Sequence, residues 1–96
     1  MTQNVYVIGN TTVINGDFSF QIFNTYYETK TEALDRAKSE AKASLNNYRN
    51  DHSEYFIDTV TSNDPDPDDR LDGYSVCNEH GGPVDIFVIK EVHPKI

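Results

Sequence analysis

The chain has 96 residues, 36% of them apolar, and its sixteen acids and eight bases give a formal net charge of −8. That length predicts a single domain over residues 1–96 with one modest core. No apolar run nears the roughly 20 residues of a membrane span, the first residues lack a basic-then-apolar signal pattern, and the acidic balance argues against direct contact with nucleic acid or an anionic membrane.

The expected location is therefore cytoplasmic, and the single cysteine, Cys77, fits a reducing compartment. The charge is concentrated. Residues 51–72 hold eight acids and one base, whereas residues 30–50 hold five bases and three acids. Such a distribution repels polyanions and attracts basic surfaces or cations.

In chain order, Val5-Tyr6-Val7-Ile8 is β-branched and aromatic and predicts a first strand, broken by Gly9-Asn10. Residues 11–14 and 18–23 flank Asn15-Gly16, a strong hairpin signal because both turn residues take positive φ. In the second arm Phe18, Phe20 and Ile22 share one face, expected to point at the core, with Ser19, Gln21 and Phe23 opposite. Tyr26 and Tyr27 lead to Thr29-Lys30-Thr31-Glu32, a capping-box pattern that opens a helix over residues 29–48. Leu34, Ala37, Ala41, Leu45 and Tyr48 supply its narrow apolar stripe.

Asn46-Asn47 is expected to end the helix and Asn50-Asp51-His52-Ser53 to turn the chain. Residues 55–61 alternate as a strand. Residues 62–73, with two Asp-Pro pairs, predict a long irregular loop. A short strand is expected over residues 74–78, a turn at His80-Gly81-Gly82-Pro83, and a last strand over residues 84–92. Val84, Ile86 and Val88 on one side of that strand and Phe87 and Ile89 on the other suggest a central position. The order β-β-β-α-β-β-β predicts an α+β domain, a mostly antiparallel sheet of about five strands with one helix across a face.

The candidate site is the aspartate loop. Asp64, Asp66 and Asp68 alternate like the first oxygen donors of a calcium loop, but Asp69 stands where the invariant glycine belongs and Ser75 where a glutamate belongs. A frame starting at Asp68 places Asp72, Gly73 and Glu79 well but puts Arg70 at a ligand position. The stronger reading is an electrostatic contact surface: carboxylates on a proline-stiffened segment able to occupy a groove meant for phosphates.

Asp64, Asp66, Asp68, Asp69 and Asp72 are the expected contact residues, with Tyr55 and Tyr74 as anchors. Tyr26, Tyr27 and Tyr48 are further aromatic candidates. Cys77-Asn78-Glu79-His80 brings a thiol, a carboxylate and an imidazole close in sequence, but a zinc site would also need His52 or His93. A Cys77–His80 nucleophile pair would need an oxyanion hole besides. Gly9-Asn10-Thr11-Thr12 could grip a small anion, though a hairpin loop explains it more simply. No phosphate-binding loop or Gly-x-Gly-x-x-Gly run occurs.

A strand followed by Tyr27-Glu28-Thr29-Lys30-Thr31-Glu32-Ala33 opening a helix, then acidic strands, resembles the small accessory proteins of phages, anti-CRISPR proteins among them. The likeness covers residues 5–48 in style and carries over no functional residue. It implies a non-enzymatic inhibitor that occupies the nucleic-acid site of a host defence protein, such as a nuclease, or blocks its assembly.

The expectation is thus a non-catalytic acidic protein-binding module without cofactor or metal, and no enzyme, leaving monomer and homodimer open. The alternative is a small-ligand or cation-binding module for a nucleotide or calcium.

Overall fold

The computed structural model describes residues 5–14, 16–49 and 54–92. Strands β1 (Val5–Ile14) and β2 (Asp17–Ile22) precede helix α1 (Lys30–Arg49). Strands β3 (Tyr55–Thr61), β4 (Leu71–Asn78) and β5 (Gly82–Val92) follow it. All neighbouring strands pair antiparallel, in the order β2-β1-β5-β4-β3. The fold is therefore α+β, with five strands and one helix. Its chain order is ββαβββ, one strand fewer before the helix than the predicted pattern. The last strand sits in the middle, where its two apolar faces place it.

The missing strand is explained at Gly9-Asn10, which do not break β1. Gly9 pairs with Val88 on one side and Ile22 on the other, and Asn10 with Phe87 and Gln21. Asn10 is buried, and its Nδ2 donates to Asp85 Oδ1 at 2.7 Å and to the Ile86 carbonyl at 3.1 Å. Tertiary pairing on both edges outweighs the local turn preference of Gly-Asn. The Gly9-Asn10-Thr11-Thr12 run accordingly lies within a strand and forms no anion-gripping loop.

The β1–β2 hairpin is a two-residue turn, since Ile14 pairs with Asp17 and Gly16 sits at φ +85°. Asn15 lies outside the described residues, as do residues 50–53. The β4–β5 turn covers residues 79–81, with Gly81 N–H donating to the Asn78 carbonyl at 3.3 Å and Gly82 at φ +83°. Strand β5 therefore begins at Gly82, two residues earlier than its apolar run suggests.

Tyr6 and Tyr27 exchange backbone hydrogen bonds of 2.8 and 2.9 Å, which steers the chain from β2 into the helix. At the helix start, Glu32 N–H donates to Thr29 Oγ1 at 3.2 Å and the Thr29 hydroxyl donates to Glu32 Oε1 at 3.0 Å. The capping-box residues thus meet, with the hydroxyl acting as the second donor. Ala33, Ala37 and Ala41 have no exposed surface and form the line of closest approach; Ala37 and Ala41 belong to the predicted stripe, Ala33 extends it, and Leu34, Leu45 and Tyr48 flank it against the core. With no side chain beyond a methyl along that line, the helix axis lies close to Ile8, Val76, Phe87 and Ile89 on the sheet.

The helix crosses β5, β4, β3 and β1. Strand β2 lies beyond its footprint, and all six of its residues are exposed. Phe18, Phe20 and Ile22, expected in the core, instead occupy the face of the sheet that carries no helix, at 77%, 66% and 58% exposure. Phe23 supplies the core contact, its ring packing edge-on to Phe87 at 6.2 Å.

Candidate functional site

The connection between β3 and β4 runs over residues 62–70 and is closed by Ser62 N–H donating to the Arg70 carbonyl at 2.8 Å. Leu71, Asp72 and Gly73, expected in the loop, belong to β4 because Leu71 pairs with Thr61 beside a bulge and Gly73 with Val60. Asp64 Oδ1 accepts from Asp66 N–H at 2.9 Å, and Asp66 Oδ1 accepts from Asp68 N–H at 3.0 Å. These two Asx turns coil the segment instead of extending it. The second caps a short 3-10 turn over Pro67–Asp69 with proline in its first position.

Both cations beside the loop reach backbone oxygens. Arg70 Nε donates to the Asp64 carbonyl at 2.8 Å, and Lys30 Nζ to the Asp69 carbonyl at 2.9 Å. Lys30 also bridges to Asp72 at 2.9 Å. Asp64, Asp66, Asp68 and Asp69 are exposed, and among the described residues no ion pair reaches their carboxylates. The loop is thus a negatively charged rim of fixed shape at the N-terminal end of the helix. Asp72 stands apart from it, half-buried on β4 and paired.

Tyr55 and Tyr74 do not join this rim. Both lie on the helix-facing side of the sheet and pack against the core. Tyr55 stacks on Tyr48 with ring centroids 4.9 Å apart. It starts β3 while the rim follows the strand's last residue, six residues and roughly 20 Å away. Of the other tyrosine candidates Tyr26 is exposed, at 68%, while Tyr27 and Tyr48 pack against the core.

The carboxylates of the calcium-like frames follow successive turns rather than converging, and no group of three or more His, Cys, Asp or Glu able to hold a metal occurs among the described residues. Cys77 is buried with its Sγ 3.4 Å from Ser75 Oγ, whereas His80 sits exposed in the β4–β5 turn. His52 and His93 lie outside the described residues. No helix of the described residues is long and apolar enough to cross a membrane.

Two features escaped the sequence reading. The first is Asp85, buried beneath the C-terminal half of the helix. Its Oδ1 accepts from Asn10 Nδ2 at 2.7 Å and Thr12 Oγ1 at 2.9 Å, and its Oδ2 from Ser44 Oγ at 2.6 Å. The carboxylate thereby fastens β1, β5 and α1 together at the floor of a cleft of about 340 Å³ that Tyr48 and Glu40 also line. Burial, the negative Asp85 nearby and the adjacent Tyr55 all raise the Tyr48 phenol above its ordinary value near 10. The β-strand alternation puts Asp85 on the helix side with Phe87 and Ile89, which is the signal that identifies it.

The second is the uncovered sheet face. Phe18, Phe20 and Ile22 on β2, Thr11 and Val13 on β1, Ile86 and Val88 on β5, and Phe56 and Val60 on β3 share it by register. A hollow of about 600 Å³ opens there, lined by Phe56, Val60, Ser75, Cys77, Pro83 and Ile86 among others.

Comparison with family models, with curated proteins and with solved structures finds no match to this chain.

Proposed function

We propose that the chain is a non-catalytic protein-binding module of the phage-inhibitor type, which sets its acidic rim against a basic, nucleic-acid-binding surface of a defence protein. The observation that carries this reading is the pre-shaped loop. Asp64, Asp66, Asp68 and Asp69 are exposed on a backbone fixed by a 3-10 turn and by two Asx turns, in which Asp64 and Asp66 each bond one oxygen to the chain, and the flanking Arg70 and Lys30 bind carbonyls. Order present before docking lowers the entropy lost on binding. Uncompensated charge on one rim gives fast, salt-sensitive association with a lysine- and arginine-lined groove, the term that also dominates phosphate recognition. Asp72, Tyr55 and Tyr74 support the rim and the core rather than touching the partner.

The test is capture from a host lysate on the immobilised chain, eluted with rising salt, beside a variant carrying Asp64→Asn, Asp66→Asn, Asp68→Asn and Asp69→Asn. Asparagine keeps the turn-forming oxygen and removes only the charge. The reading expects a basic protein held by the wild type, released by salt and absent from the variant. Eluates that do not differ between the two contradict it.

A further inference from the structure

The helix-free face of the sheet is arranged in rows across all the strands. One row runs Ile22, Gly9, Val88, Gly73, Val60; the next runs Phe20, Thr11, Ile86, Ser75, Asp58. A third has Phe18 and Val13 at one edge and Cys77 and Phe56 at the other. The large side chains therefore stand at the β2 and β3 edges and, as Ile86 and Val88, along the central β5; Gly73 and Ser75 form one trough between them, and Gly9 and Thr11 the other. Phe20 leans inward over the latter trough, since a Cβ at Gly9 would meet its ring at 3.3 Å.

We propose that this face packs against the same face of a second copy of the chain, the two sheets stacking about a two-fold axis that runs along β5. Such an axis keeps each row at its own height and lays β2 of one copy over β3 of the other. Phe18 then meets the partner's hollow beside Phe56 and Cys77, and Ile22 meets Val60. Knob and hollow lie on one surface at opposite edges, which is what an isologous contact requires. Stacked sheets of this kind sit about 10 Å apart with strands within roughly 30° of each other.

Exposed apolar area favours a second copy. Phe18, Phe20, Ile22 and Phe56 are 77%, 66%, 58% and 39% exposed; with roughly 150–250 Å² per aromatic side chain they offer on the order of 450 Å² per copy. Two copies bury about 900 Å² from these residues alone, and the half-exposed valines and Ile86 carry the total toward the roughly 1,200–2,000 Å² of a specific interface.

Although the chain carries −8, this face is far less charged: register places Asp58 and Lys90 on it, and Glu79 and His80 join Asp58 around the hollow. A basic partner would find little to recognise there; the β5 axis sets Lys90 against its own counterpart and Asp58 against Phe20, and the rest of the contact is largely apolar. The two acidic rims come out at one end of the pair on opposite flanks. They stand roughly 20 Å apart by strand spacing, beyond the screening length of about 8 Å at physiological salt. The proposal is independent of the acidic-rim reading.

Sedimentation of the full chain across concentration tests it, beside Phe18→Ser/Phe20→Ser, with circular dichroism as the check on folding. The wild type is expected at twice the 10.9 kDa chain mass, and the variant as a folded monomer with a dissociation constant raised at least about 100-fold. In a Cys77→Ser background, Phe18→Cys/Phe56→Cys provides a second readout. Within one chain these positions are about 19 Å apart across the sheet, too far for a disulfide, so oxidation can link them only between copies. A covalent dimer is expected. A wild type monomeric at 100 µM or so, a dimer that survives loss of both phenylalanines, or a cysteine pair that stays reduced would each overturn the proposal.

Discussion

Lys30 joins the first turn of the helix to Asp72 on β4, Nζ to Oδ1 at 2.9 Å, and with the same ammonium holds the Asp69 carbonyl. A positive charge at a helix N-terminus opposes the helix dipole, so this lysine is favourable there only through the loop it binds. The pair is about one-quarter exposed on either side. Lys30→Ala is expected to cost about 0.5–1 kcal/mol in thermal unfolding. It should also speed amide hydrogen exchange over residues 66–70 while leaving the core amides slow. Unchanged exchange in that segment would show that the Asx turns hold the loop unaided.

Asp85 divides a geometric role from an electrostatic one. Asp85→Ala leaves the donors of Asn10, Thr12 and Ser44 facing a void and is expected to destabilise the fold by about 1–3 kcal/mol or more. Asp85→Asn is expected to cost less, because its carbonyl oxygen still accepts from Asn10 and Thr12 and the Ser44 hydroxyl can rotate to accept from the new amide. Denaturant melts of the two variants check the order.

Tyr48 sets an alkaline limit. Its phenol titrates above the ordinary value in the folded chain, through burial first and then the nearby Asp85 charge. The folded state therefore holds the proton more tightly than the unfolded one. The resulting stability is complete below the unfolded pKa near 10 and is lost as pH climbs through the higher folded value. Thermal melts from pH 8 to 12 should fall more steeply for the wild type than for Tyr48→Phe.

The core depends on the small-residue line of the helix. Ile8→Ala is expected to cost about 2–5 kcal/mol, the usual range for emptying a fully buried site. Ala37→Leu should cost about 1–3 kcal/mol by forcing the helix off the sheet. Chemical denaturation of both variants measures this.

The helix, its cap and the central place of β5 were legible because each rests on local chemistry or on a strand apolar on both sides. The strand count before the helix was not: Gly9-Asn10 reads as a turn until β2 and β5 pair with it from both edges. Alternation in β2 separated Phe18, Phe20 and Ile22 from Ser19, Gln21 and Phe23, but period-two patterning cannot tell which side a helix will cover. The aspartates emerged from composition, and their turn geometry follows from Asp-x-Asp spacing. That Tyr55 and Tyr74 face inward depends on which side of β3 and β4 the helix covers, which alternation along each strand leaves open.

Displacement of nucleic acid from the captured basic partner tests the central claim most directly. The chain is titrated into the preformed partner–nucleic-acid complex and free nucleic acid is followed by fluorescence anisotropy. The expected result is full release by the wild type, weakened by added salt and lost in the variant with Asp64, Asp66, Asp68 and Asp69 all changed to asparagine. A stable ternary complex, or equal release by that variant, would contradict the acidic rim as the contact surface.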